Sequence, residues 1–148
     1  MTSSLLFVLV LIAGACLATQ VGVNASLARW SGSPITAAAI SFAVGTVALV
    51  LYAVVARVPA PPLGRVPGPA WWTWAGGLLG GFYVAMMVLA APRLGAATTI
   101  ALVVAGQMTT SIALDHMGAF GFPARPVTLG RLAGGALIVA GVVLLRRL

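Results

Sequence analysis

Lysine and glutamate are absent from these 148 residues, and Asp115, His116 and Cys16 are each the sole residue of their type. One carboxylate and one imidazole supply no paired acid and base, no metal-ligand cluster and no lysine-bearing phosphate loop. Enzymatic chemistry is therefore not expected, and neither is a metal or any other cofactor. A single cysteine excludes a disulfide within the chain. Cys16 lies inside the first apolar block and is expected to be a small apolar packer. All eight basic residues are arginine, for a formal net charge of +7. In a soluble chain that balance would suggest nucleic acid. Here the arginines are scattered between apolar blocks, as membrane-interface anchors are, and no nucleic-acid partner is expected.

What is present is apolar surface: 61% of the residues are hydrophobic and 6% charged. No soluble fold of this size could cover such runs with polar groups, so the partner of this surface is the lipid bilayer. A spanning helix takes about 20 apolar residues. Blocks of that size run over residues 4–27, 35–56, 70–91, 95–115 and 128–145, which predicts an all-α integral membrane protein of five transmembrane helices in a single domain. Between the first two stand Ser31, Gly32, Ser33 and Pro34, and after the second a Pro-rich stretch beginning at Arg57 that cannot remain helical. The third block starts behind Trp71, Trp72 and Trp74, a cluster suited to headgroup depth. The apolar stretch from Trp74 to Leu114 is about twice one crossing, which predicts a tight turn at Pro92, Arg93, Leu94 and Gly95. No Lys or Arg precedes the first apolar run, so it is expected to be a span and not a cleaved leader.

Polar side chains inside such spans are the candidates for function, because each must face a partner helix or a solute path. Gln107, Ser111 and Asp115 follow at i, i+4 and i+8 and form one stripe on the fourth helix. Gln20 and Asn24 are one turn apart on the first helix and can donate and accept without carrying charge. Tyr83, at mid-depth on the third, could stack on a ligand or simply pack. The candidate solute-binding residues are thus Gln20, Asn24, Tyr83, Gln107 and Ser111, with Gln20, Asn24 and Gln107 expected to face the space between the first, third and fourth helices. At the membrane edge, Asp115 either pairs with Arg125 or Arg131 or, with His116, handles a coupling proton or cation.

Small residues recur at helix-packing spacing: Ala37, Ser41 and Gly45; Gly76 with Gly80 and Gly77 with Gly81; Gly130 with Gly134. Five crossings put the termini on opposite sides. One side then holds Arg57, Arg65, Arg125 and Arg131 and the other Arg29, Arg93, Arg146 and Arg147, four against four. Orientation follows the bias of Lys and Arg. With no bias, copies are expected to insert both ways and to form an inverted pair.

The motifs QVGVNA at 20–25, SFAVGT at 41–46, Trp71-Trp72 with Gly76, Gly77 and Gly80, PRLGAA at 92–97, Gly106-Gln107 and DHMG at 115–118 occur in an order that resembles the YdcZ-like branch of the drug/metabolite transporter superfamily. The resemblance covers nearly the whole chain. It implies a multi-pass protein of the bacterial inner membrane, a five-helix half of the superfamily's ten-helix plan, pairing antiparallel with itself or with a homologous sister chain. It also implies a small-molecule exporter. The small multidrug resistance transporters of the same superfamily use a glutamate in their first helix, where this chain has only Gln20 and Asn24. The expected activity is solute transport by alternating access; the alternatives are a passive pore and a scaffold subunit that transports nothing.

Overall fold

A computed structural model of the chain describes residues 3–60 and 70–147. Most of the Pro-rich stretch, Arg65, and the side chains of Arg146 and Arg147 lie outside the described residues. Among the described residues every regular element is helical: α1 (Ser3–Ser31), α2 (Pro34–Val55), α3 (Ala75–Leu94), α4 (Ala96–Met117) and α5 (Leu129–Arg147), with short 3₁₀ turns at Trp71–Trp74 and Ala119–Gly121. Four helical stretches are long and apolar enough to cross a bilayer, Trp71–Leu94 counted with its leading turn; the apolar part of α5, Leu129–Leu145, is shorter. The protein is an all-α membrane protein.

The links follow from local chemistry. Between α1 and α2, Ser33 caps α2 by accepting from the Thr36 amide at 3.3 Å, and Pro34 takes the first helical position, where no amide is needed. At the other end of α2 the Val58 amide donates to the Ala53 carbonyl at 2.9 Å and the Arg57 amide to that of Val54 at 3.2 Å. This is the paired C-terminal closure that glycine usually makes, here with Arg57 at φ 52°. A residue with a Cβ pays about 1–2 kcal/mol for that conformation.

Pro92 does not end α3. The helix continues through Pro92 and Arg93 to Leu94, although Pro92 has no amide to donate to the carbonyl one turn back. The reversal expected over four residues is concentrated at Gly95, at φ 84° and ψ 145°. There the Gly95 amide still closes α3 onto Ala91 at 3.0 Å, while its carbonyl accepts the first bond of α4 from Thr99 at 3.0 Å.

The chain forms two compact units, Met1–Leu89 and Ala90–Leu148, and the boundary falls within α3. In the first, Ala37 and Ala38 of α2 pack with Val84, Ala85 and Val88 of α3, and Leu27, Ala28 and Tyr83 lie against this cluster. The side chains are small because helix association in lipid depends on close approach and dispersion, without a hydrophobic drive. Gly80 shows the approach directly: a Cβ there would stand 3.3 Å from the Phe42 ring. In the second unit α5 packs along α4, with the Ile112 side chain 3.6 Å from where a Cβ on Gly135 would be. Gly45, Gly76, Gly77, Gly81 and Gly134, also read as packing positions, have open space around them within the chain.

Candidate functional site

Each unit carries a concavity lined in part by polar side chains. In the first, Gln20 and Asn24 lie on one wall of a cavity of about 480 Å³ and Ser41 of α2 on the other. The two-residue link brings them together: Asn24 stands eight positions before Gly32, and Ser41 eight positions after Ser33. Cys16 and Thr19 line the same groove, with apolar contributions such as Val23. The Thr19 hydroxyl donates to the Ala15 carbonyl at 2.9 Å, leaving its oxygen free to accept.

Among the described residues the buried polar side chains are Asn24 and Thr99, each residue 4% exposed. Thr99 is satisfied within its own helix, its hydroxyl donating to the Gly95 carbonyl at 2.8 Å. Asn24 makes no side-chain hydrogen bond to any described residue, and its amide borders the groove. Gln20, a turn away, is exposed within the chain.

Cys16 departs from the expected packer, because it is exposed at the groove and not enclosed by apolar neighbours. Its position was readable after all: Cys16, Gln20 and Asn24 repeat the i, i+4, i+8 spacing of Gln107, Ser111 and Asp115. The sequence suggests only a packing role for Ser41, since no feature of one helix reveals which position of the next will face it.

In the second unit, Ser111 and Asp115 line a cavity of about 350 Å³ together with Arg131 and Gly134 of α5. Of the two arginines open to Asp115, the structure selects Arg131, whose Nη2 donates to Oδ2 of the carboxylate. Arg125 contributes its backbone instead. Its amide donates to the Asp115 carbonyl at 2.8 Å, and its own carbonyl accepts from Nη1 of Arg131 at 3.3 Å. The Gly118 amide also donates to the Asp115 carbonyl, at 3.2 Å. Asp115 thus holds the loop between α4 and α5 by main chain and side chain together. Thr128 completes the arrangement by capping α5, its hydroxyl oxygen accepting from the Arg131 amide at 3.3 Å.

Other candidates are set apart. His116 lines a different cavity of the α4–α5 unit, of about 500 Å³, with Thr109 and largely apolar neighbours. Gln107 is exposed on α4 and lines neither of these α4–α5 cavities, so only the lower two members of the stripe reach α5. Tyr83 is half-buried against the α2–α3 cluster and does not line the groove of Gln20 and Asn24.

The pattern of the family described as "Putative inner membrane exporter, YdcZ" matches residues 5–144. The chain belongs to this family. It is also 40% identical over 77 residues to the inner membrane protein YdcZ of Escherichia coli strain K12, a match covering 52% of this chain and 51% of that protein. The chain thus spans about half the length of the curated relative it matches. No solved structure matches. As a member of an inner-membrane family with several apolar helices, it is a multi-pass protein of the bacterial inner membrane.

The ion pair sets a first prediction. Arg131 and Asp115 are 29% and 32% exposed in their side chains. A pair this open to solvent is worth about 0–1 kcal/mol. Asp115→Asn keeps the shape, the main-chain bonds to Gly118 and Arg125 and an acceptor for Arg131. Its melting temperature in detergent should fall by no more than a few degrees, and any transport that a pH gradient drives in the parent protein should persist. Loss of gradient-driven transport in a well-folded Asp115→Asn protein would make Asp115 the coupling group and overturn the structural assignment.

Proposed function

We propose that this chain is a small-molecule exporter of the inner membrane that works by alternating access as an antiparallel pair, with all five helices crossing the bilayer. One observation carries most weight: in a family described as inner membrane exporters, α1 carries a largely buried Asn24 whose amide bonds no described residue and opens on a cavity. An amide in hydrocarbon is costly unless something hydrogen-bonds it, so such a group is retained where a polar ligand or water can reach it.

The pairing rests on the arginine count and on open small-residue positions. A Cβ at Gly45, Gly76, Gly77 or Gly81 would meet no other described residue within 4 Å, and such positions allow backbones to approach closely. Two copies inserted in opposite senses would form the inverted arrangement on which many transporters are built.

The test is solute counterflow in proteoliposomes containing only this chain, with and without a pH gradient. Saturable exchange that outpaces protein-free vesicles is the expected result. Flux that never saturates would indicate a pore, and no flux, together with co-purification of an unrelated chain, would indicate a scaffold.

A further inference from the structure

We infer that the α1–α2 groove is a binding site for uncharged amphipathic molecules, anchored by Asn24; this names the solute class of the transporter proposed above and rests on that reading. The groove's polar lining consists of two amides, at Gln20 and Asn24, and two hydroxyls, at Thr19 and Ser41. Among the described residues no carboxylate or guanidinium lines it, and Asp115, the sole acidic residue, is engaged by Arg131.

A charged ligand in this groove would lose its hydration with no opposite charge to replace it, and that loss is large inside a membrane. An uncharged ligand avoids it. Amides and hydroxyls both donate and accept, so a neutral head group carrying a carbonyl and an N–H or O–H can satisfy Asn24 on both edges. The remaining walls, Val23 among them, are apolar and suit an aromatic or aliphatic body. A volume of about 480 Å³ lies within the range that holds a drug-sized molecule.

Asn24 is the anchor because it is the buried polar residue of the groove. It is 4% exposed and makes no side-chain hydrogen bond to any described residue, and the little surface its amide keeps opens on the groove, where a ligand can bond it. Gln20 is exposed and supplies a second contact.

Cys16 lets the site be read without knowing the natural solute. It is the only cysteine and is exposed at the groove, so a neutral maleimide reports on its occupancy. Three probes share one ring and differ in charge: benzamide, benzoate and benzyltrimethylammonium. Purified protein in proteoliposomes is labelled with N-ethylmaleimide in the presence of each. At one common concentration benzamide should slow labelling about tenfold and the two ions by less than about twofold, roughly a tenfold difference in Kd and so about 1.4 kcal/mol. Asn24→Ala should abolish the protection while leaving the unprotected rate within about twofold. Should that variant fail to fold, Gln20→Ala should weaken benzamide severalfold.

Equal protection by the charged probes, absence of protection by benzamide, or full protection in the Asn24→Ala protein would each overturn the inference. Counterflow measured on the same vesicles separates it from the transport reading. Protection without counterflow leaves the site standing and removes the transporter; counterflow of a solute that never protects Cys16 does the reverse.

Discussion

Gly95→Val should cost about 3 kcal/mol, the upper end for a residue forced into a sparsely populated backbone region, and leave the protein prone to unfold in mild detergent. Gly95 sits at φ 84° and ψ 145°, a region essentially reserved for glycine. There is no neighbouring position to which the strain can move. The Gly95 amide ends α3 on Ala91 and its carbonyl starts α4 with Thr99, so shifting the turn by one residue breaks both bonds. The Thr99 hydroxyl also relies on that carbonyl, and Thr99 is buried. A Cβ at Gly95 would meet no atom within 4 Å, so the loss is one of conformation and not of space. Denaturation in SDS–detergent mixtures measures it. A valine variant as stable as the parent would show that the reversal does not depend on this residue's dihedral angles.

The second large effect concerns orientation. With four arginines assigned to each side, reporters fused to the C-terminus should reveal both orientations in one population. Three lysines placed in the loop at 122–127 should convert that mixture almost entirely to one sense, with the loop in the cytoplasm. Exchange in vesicles should then fall severalfold and return when a second chain, biased the opposite way, is co-expressed. Full activity from a population inserted in a single sense, with no other chain, would remove the antiparallel pair. Arg57→Gly offers a milder version, since it removes one charge from one side and also relaxes a strained αL residue.

The helices were legible in the sequence because apolar runs bounded by Ser, Gly and Pro have few other uses. The expected 35–56 is Pro34–Val55 in the structure and the expected 95–115 is Ala96–Met117. The end of α3 was harder, since Pro92 usually closes a helix and here is carried inside one whose real stop is Gly95. The pairing of Gln20 with Asn24 was readable from their spacing, whereas Ser41 facing them depends on the link at Gly32 and Ser33. The choice between Arg125 and Arg131 was not readable at all. It turns on the conformation of the loop, which joins Arg125 to Asp115 through the main chain while the side chain that reaches the carboxylate is that of Arg131 on α5.

The lengths of the first and last helices have a physical corollary of their own. At 1.5 Å per residue the 29 residues of α1 extend about 43 Å, and the apolar positions 129–145 of α5 about 26 Å, against a hydrocarbon layer of about 30 Å. Both lengths cannot match one flat bilayer. α1 must lean or protrude and, with α5 crossing as proposed above, lipid beside it would have to thin by several Å or yield to arginine stems reaching outward. Membrane thickness thereby becomes a variable this protein feels: a thinner bilayer relieves α5 and a thicker one straightens α1, so reconstitution into lipids of graded chain length should pass through an optimum of stability on the thin side.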